Sequence, residues 1–337
     1  MKMRGVLVYT SWSHVDLQTN NRRYDPKLGI ADLGNKEIRE IEIPSGARVT
    51  IEVASRRFCT FKKNDEKYCL APVYSANGMP YCRACMSIIP SIKCLMGEPQ
   101  CNIKDAPRSK KCIISGFYKD ICTVPRYHYL LVYPMDHNMV YLKVGIERET
   151  IHPNRILEQG APVIAIYAKT PNIWIGRKVE VSSRLFLEQF VGKAYRGLKI
   201  GHASEKKRSI IMIERLIRST GLPEESLDLY MESHASEGIF DKLTQIAMYI
   251  GKSLTKEFRE YSVDVNVIKG IEIYDMRTDL LRYDKIEEVG NFKDNVVLKG
   301  TSVGWLGSYL LLKEKNALRI VDFRKIKGHL ITITIEN

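Results

Sequence analysis

Apolar and polar positions alternate through residues 4–55, first in GVLVYT and again in EIREIEIPSGARVTIEVAS. A period of two puts one strand face in the core and the other in water, and Pro-Ser-Gly is turn chemistry. The segment therefore reads as β hairpins or a small sheet, with His14 and Asp16 as ordinary loop residues. The period returns further on, where YHYLLVY is one strand, PMDHN a turn and MVYLKVGIE a second strand. A helix starts near HPNRILEQ, with Pro153 in its first turn and Gly160 past its end. VIAIYA is a buried strand, and Asn172 is an N-cap for the helix NIWIGRKVEVSSRLFLEQF. On that helix Trp174, Val181 and Leu185 share a stripe, while Arg177, Glu180 and Arg184 lie together.

After 204 the pattern becomes helical. Ile210, Ile213 and Ile217 repeat at helix spacing, GLPEES breaks the chain, and Ile239, Leu243, Ile246, Ile250 and Leu254 form a long apolar stripe. Strands return from 262 and end in HLITITIEN. The glycine-rich LKGTSVGWLG lacks the lysine and hydroxyl arrangement of a phosphate loop and reads as close-packed turns around a buried Trp305. The fold class is α+β, in five segments: an N-terminal β segment (1–55), a cysteine-rich module (56–125), a β-β-α-β-α core (126–204), a helical segment (205–261) and a C-terminal β-rich segment (262–337).

Composition narrows the function classes. No apolar run approaches the roughly 20 residues of a membrane-spanning helix, and the start turns polar too early for a signal peptide, so the expectation is a soluble cytoplasmic protein with no membrane partner. The net charge of +13 is unevenly placed: +8 over residues 1–122, +5 over 123–204 and 0 over 205–337. An excess confined to two adjacent segments suggests a polyanionic partner such as RNA or DNA, with a solvated basic face as the alternative.

All eight cysteines fall in one window: Cys59, Cys69, Cys82, Cys85, Cys94, Cys101, Cys112 and Cys122. Confinement of this kind reads as thiolate ligands of structural Zn2+, one ion or two. Cys82 and Cys85 form a CxxC knuckle that Cys59 and Cys69 would complete, across an unusually long insert. Cys94, Cys101, Cys112 and Cys122 would make the second site by number rather than by spacing. Disulfides and plain buried thiols are the alternatives. His128 is a spare ligand candidate, with a core histidine the more ordinary reading.

Motif order then points to a family. The cysteine block, C-x5-H at Cys122 to His128, KVGIERE, NRILEQGAPVIAIYAKTP and IGRKVEV resemble the domain-of-unknown-function family numbered 2797. The stretch VVLKGTSVGWLGSYLLLKEKNALRIVDFRKIKGHLITI is similar to that family's C-terminal β segment. The middle of the family in turn resembles GIY-YIG nucleases, which use a strand tyrosine, an arginine and a metal-binding glutamate. The resemblance implies Arg155 as the arginine and Glu180 as the ligand of a Mg2+ ion. It also shows departures, since Lys143 stands in the place of the second motif's tyrosine and Leu131 in that of the first, unless a register shift brings in Tyr129 or Tyr133.

The leading expectation is a zinc-containing, nucleic-acid-binding protein with a core whose catalysis is weakened or absent. Its contacts would be Arg56, Arg57, Lys62, Lys63, Arg83, Arg108, Lys110 and Lys111, joined by Lys143, Arg177 and Arg184. One alternative is a Mg2+-dependent nuclease using Arg155 and Glu180 with Tyr129, Tyr133 or Tyr141. Another is a ribosome-associated or protein-interaction scaffold. Surface ion pairing of Glu180 with Arg177 or Arg184 remains open beside these roles.

Overall fold

The structure, a computed structural model, describes residues 1–14, 24–62, 67–74, 80–89, 92–95, 98–102, 108–136, 139–202, 239–269, 285–289, 292 and 294–336. The chain begins with strands β1 (Lys2–His14), β2 (Tyr24–Ala31), β3 (Ile38–Glu42), β4 (Arg48–Phe58) and β5 (Pro72–Val73). Three short helices follow: α1 (Arg83–Ile88), α2 (Ile92–Leu95) and α3 (Lys110–Ile114). Next come β6 (Arg126–Asp136), β7 (Met139–Arg148), α4 (Asn154–Glu158), β8 (Val163–Thr170), α5 (Ile173–Leu187), β9 (Ala194–Tyr195) and β10 (Leu198–His202). The chain continues through α6 (Ile239–Glu257), β11 (Ser262–Lys269), β12 (Lys285–Val289), β13 (Val296–Leu306), β14 (Tyr309–Glu314), β15 (Ala317–Asp322), α7 (Phe323–Ile326) and β16 (His329–Glu336). Mixed helices and extensive sheets make the fold class α+β, as the patterns predict. Among the described residues no helix is long and apolar enough to cross a membrane.

Contacts divide the chain into two units, Met1–Thr123 with Tyr283–Asn337, and Val124–Arg282. In the first, the strand order is β12-β15-β14-β13-β4-β16-β1-β2-β3, with β5 beside β4. The last strand thus lies between the first and the fourth, antiparallel to both. Alternation explains the layering: Val49, Ile51 and Val53 of β4 and Ile331, Ile333 and Ile335 of β16 enter one core, while Thr50, Glu52, Thr332 and Thr334 point the other way. Trp305 is buried there, and its indole N–H donates to the Ile43 carbonyl at 3.2 Å. Two sequence expectations change. GTSVG is part of strand β13, with a bulge between Ser302 and Gly304 and Gly304 at φ +145°, so the glycines permit a bent strand rather than turns. His14 closes β1 instead of sitting in a loop; Asp16 lies outside the described residues.

The second unit is built on a six-stranded sheet in the order β11-β8-β6-β7-β10-β9. Leu130, Val132, Val140, Leu142 and Val144 face one way and pack with Leu243, Ile246, Ile250 and Leu254 of α6. That is the apolar stripe expected from the sequence; the Ile210, Ile213 and Ile217 repeat falls outside the described residues. Period two sends Tyr129, Leu131, Tyr133, Tyr141, Lys143, Gly145 and Glu147 to the opposite face. Helix α5 packs on β6, β7 and β8, and the Asn172 side chain caps it by accepting from the Ile175 N–H at 3.0 Å. Its buried stripe is Ile173, Gly176, Val179, Ser183 and Leu187, whereas Leu185 is 58% exposed and Trp174 and Val181 are half-buried. The stripe drawn through Trp174, Val181 and Leu185 therefore lies to one side of the packed face.

Candidate functional site

The first site is a cluster of sulfurs. The described residues on either side of the insert between Cys59 and Cys69 pair antiparallel: the Cys69 N–H donates to the Phe61 carbonyl, the Leu70 N–H to the Cys59 carbonyl, and Lys62 pairs with Tyr68. That pairing brings Cys59 and Cys69 together in spite of their separation. The other two sulfurs come from the start of α1, where the Cys82 sulfur takes the N-cap position and accepts from the Cys85 N–H at 3.5 Å. One Sγ from each of the four lies within 4.8 Å of every other, and Cys69 Sγ is 3.8 Å from Cys82 Sγ. Four sulfurs about 2.3 Å from a central ion sit about 3.8 Å apart on a regular tetrahedron, so the set fits a tetrahedral metal such as zinc.

The surroundings suit a cation. Burial pushes the Cys59 thiol up to about 11 and raises Cys85 further. At Cys82 burial is outweighed by the Cys85 N–H and the neighbouring thiols, which lower its pKa. Four thiolates this close repel one another unless a positive ion lies among them. Phe61, Ile89 and Phe117 pack around the sulfurs together with Cys94 and Cys112. Cys94, Cys112 and Cys122 are buried and Cys101 is half-buried, and none of the four is in a disulfide among the described residues. Among the described residues, these four do not gather as the first four do.

Basic residues surround this module unevenly. Arg83 is the first residue of α1, next to Cys82 of the cluster, and is exposed, as are Arg108, Lys110 and Lys111. Lys62 is also exposed. The Arg56 guanidinium lies 5.2 Å from the Phe58 ring centre, and Arg57 is half-buried, which lowers its pKa. Lys63 is outside the described residues.

The second site lies on the β6–β7 face beneath α4 and α5. Strand pairing sets Tyr129 opposite Gly145, and the phenol lies over the glycine: a Cβ there would come 2.5 Å from the Tyr129 hydroxyl oxygen. Leu131 is buried opposite Lys143. The Arg155 side chain hydrogen-bonds the Tyr129 oxygen, and Glu180 lies within electrostatic reach of both. Burial pushes Tyr129 up to about 12 in spite of the arginine, so at neutral pH it is a neutral phenol. The Glu180 carboxylate accepts from Arg177 Nη1 at 2.6 Å, the helix-surface pair left open above. Lys143 Nζ donates to Gln159 Oε1 at 3.0 Å, and Tyr133 Oη to the Gln159 carbonyl at 3.2 Å, so both brace the end of α4. Tyr141 lies against Gly201. Arg184 is half-buried on α5.

Sequence reasoning missed Glu147. Its carboxylate is fully buried, accepts from the Arg155 N–H at 2.6 Å and lies 2.9 Å from His152 Nδ1. Burial raises its pKa, opposed by His152 and by the Arg155 and Ile156 amides. It thereby caps the start of α4 and holds the backbone that carries Arg155. The available signal was parity, two residues beyond Gly145 on one strand face. Tyr167, also missed, donates its hydroxyl to Ser183 Oγ at 2.9 Å, and burial raises its pKa. His128 is a core residue: it is fully buried, lies 3.0 Å from Thr170 Oγ1 through Nε2, and burial lowers its pKa to about 3.

Residues 46–191 match the family described as Protein of unknown function (DUF2797), the family that the motif order resembles. Neither the curated proteins nor the solved structures gave a match.

Proposed function

We propose that this protein binds nucleic acid, RNA or ribonucleoprotein ahead of DNA, on a basic platform made rigid by a structural zinc ion. The observation that carries the reading is the four-sulfur cluster with Arg83 next to one of its ligands and Arg108, Lys110 and Lys111 exposed on the same module. A closed four-cysteine site stabilises its surroundings and leaves no open coordination position for catalysis. Cations fixed on such a scaffold meet phosphates with less ordering cost than cations on a mobile loop.

The GIY-YIG-like core contributes a phosphate contact through Arg155 without strand cleavage. Tyr129 is a neutral phenol that orients the guanidinium, and a group with so high a pKa is a poor proton acceptor at neutral pH. The test is a titration of purified protein with labelled structured RNA and branched DNA, in Mg2+ and in EDTA, read for shift and for cleavage. A salt-sensitive shift with intact substrate is expected; affinity indifferent to salt would remove the phosphate contacts from the reading.

One observation favours a second reading, a Mg2+-dependent nuclease: Tyr129, Arg155 and Glu180 converge on one face although they are far apart in sequence. Cleavage that requires Mg2+ and disappears in Glu180→Ala would establish it over the first. Cleavage unchanged in that variant would remove Glu180 from the site.

A further inference from the structure

We propose that the open face of the large sheet, across β1, β16, β4 and β13, is a second phosphate-binding surface that fits a nucleic-acid duplex by its backbone. The inference rests on the nucleic-acid reading above, but on residues that reading does not use. Strand register places two cross-strand rows on this face. Arg4 lies beside Thr332, Thr332 beside Glu52, and Glu52 beside Val297. One step along, Lys2 lies beside Thr334, Thr334 beside Thr50, and Thr50 beside Lys299. Arg48 continues the face on β4.

Lys2, Arg4, Arg48 and Lys299 are exposed, and among the described residues none has an ion-pair partner. Against these four cations stand Glu52 and Glu336, so the face is net positive. An open depression of about 470 Å³ lies along it, lined by Lys2, Arg4, Glu52, Asn295 and Thr332 among others. Lys2 and Lys299 are three inter-strand steps apart, about 14 Å, and Lys2 and Arg4 are about 7 Å apart along one strand. Cations at such intervals span a strip broad enough to meet a duplex backbone at several phosphates.

The chemistry of the remaining positions selects the partner. Surfaces that hold single strands stack bases on aromatic rings. The two rows offer threonine, valine and charge and no aromatic side chain, so a splayed base finds no ring to stack on. A duplex keeps its bases stacked internally and presents only phosphate and sugar, which is what hydroxyls and cations recognise.

The experiment compares the full-length protein with Lys2→Ala/Arg4→Ala/Arg48→Ala/Lys299→Ala and with Arg108→Ala/Lys110→Ala/Lys111→Ala. Probes are a short duplex and a single strand of equal length, titrated over a range of salt. Losing four phosphate contacts should flatten the slope of log affinity against log salt by about 3 to 4 for the duplex. The module variant should flatten it independently. Lysine acetylation of the unmodified protein provides a readout that does not depend on variant folding: bound duplex should protect Lys2 and Lys299. Equal slopes for the unmodified and sheet-face proteins, unprotected Lys2 and Lys299, or single strand preferred to duplex would each overturn the proposal while leaving the module reading intact. No binding by the unmodified protein would overturn both.

Discussion

Substitution of Gly145 by alanine tests the arrangement at the core of the second unit. The new Cβ would lie 2.5 Å from the Tyr129 hydroxyl oxygen, 2.6 Å from Cζ and 2.8 Å from Cε2. Ordinary contact begins at 3.4 Å, so the ring must withdraw by about 0.9 Å. Tyr129 is 3% exposed and has little room in which to withdraw. Forcing a methyl into a packed core costs about 1–3 kcal/mol, and pulling the phenol from Arg155 adds about 1–2 kcal/mol for a charged hydrogen bond. Gly145→Ala should therefore lose about 2–5 kcal/mol in urea unfolding, with an unchanged m-value for the transition of that unit. In a Tyr129→Leu background the same substitution should cost less than about 1 kcal/mol, because ring and hydroxyl are gone. A loss below about 0.5 kcal/mol in the unmodified background would refute the stacking of Tyr129 on Gly145, and with it the placing of Arg155.

Other outcomes follow from the same geometry. Elemental analysis should find stoichiometric zinc that is lost in Cys82→Ser and retained in Cys101→Ser, and chelation should lower the melting temperature of the unmodified protein and of Cys101→Ser but not that of Cys82→Ser. His128 is held neutral in the fold, with its pKa lowered from 6.5 to about 3, so the unfolded chain binds the extra proton as pH falls. Stability should drop between about pH 6.5 and 3 by up to about 1.4 kcal/mol per unit, and His128→Gln should flatten that limb. Glu147→Ala, which strips the Arg155 amide of its acceptor and leaves His152 without its partner, should cost about 2–4 kcal/mol by denaturant titration; Glu147→Gln should cost less, since an amide oxygen still accepts. Trp305→Phe leaves the Ile43 carbonyl without its donor and should cost about 1–3 kcal/mol in the same assay.

Elements defined by local period were legible in the sequence. The β6–β7 hairpin, β8, the Asn172 cap and the α6 stripe each need only the spacing of apolar residues and one capping side chain. Pairings between distant segments were not legible, because a strand's period states which face is apolar and not which strand lies beside it; the seating of β16 between β1 and β4 is the clearest case. The β13 glycines misled for a related reason. Gly300 packs close against β14 and Gly304 bends the strand, so residues that punctuate most sequences here serve strand packing. At the four-sulfur cluster CxxC marked two of the cysteines, but the Cys59–Cys69 spacing became intelligible only through the antiparallel pairing of the residues around them. On α5 the apolar residues outnumber the positions that pack, so a stripe through Leu185 looked as good as the real one.

The seating of β16 has a consequence for how the chain acquires its structure. The strand that joins β1 to β4 is read out more than 270 residues after β4, so during synthesis both neighbours wait with unsatisfied backbone edges while the whole second unit is made. Such edges invite pairing with other chains. The intervening stretch has an apolar cluster of its own, and by collapsing early it shortens the effective loop that must close before the final strand inserts. Slow insertion of β16, and aggregation when synthesis stalls ahead of residue 329, are the kinetic counterparts of a sheet assembled from both ends of the sequence.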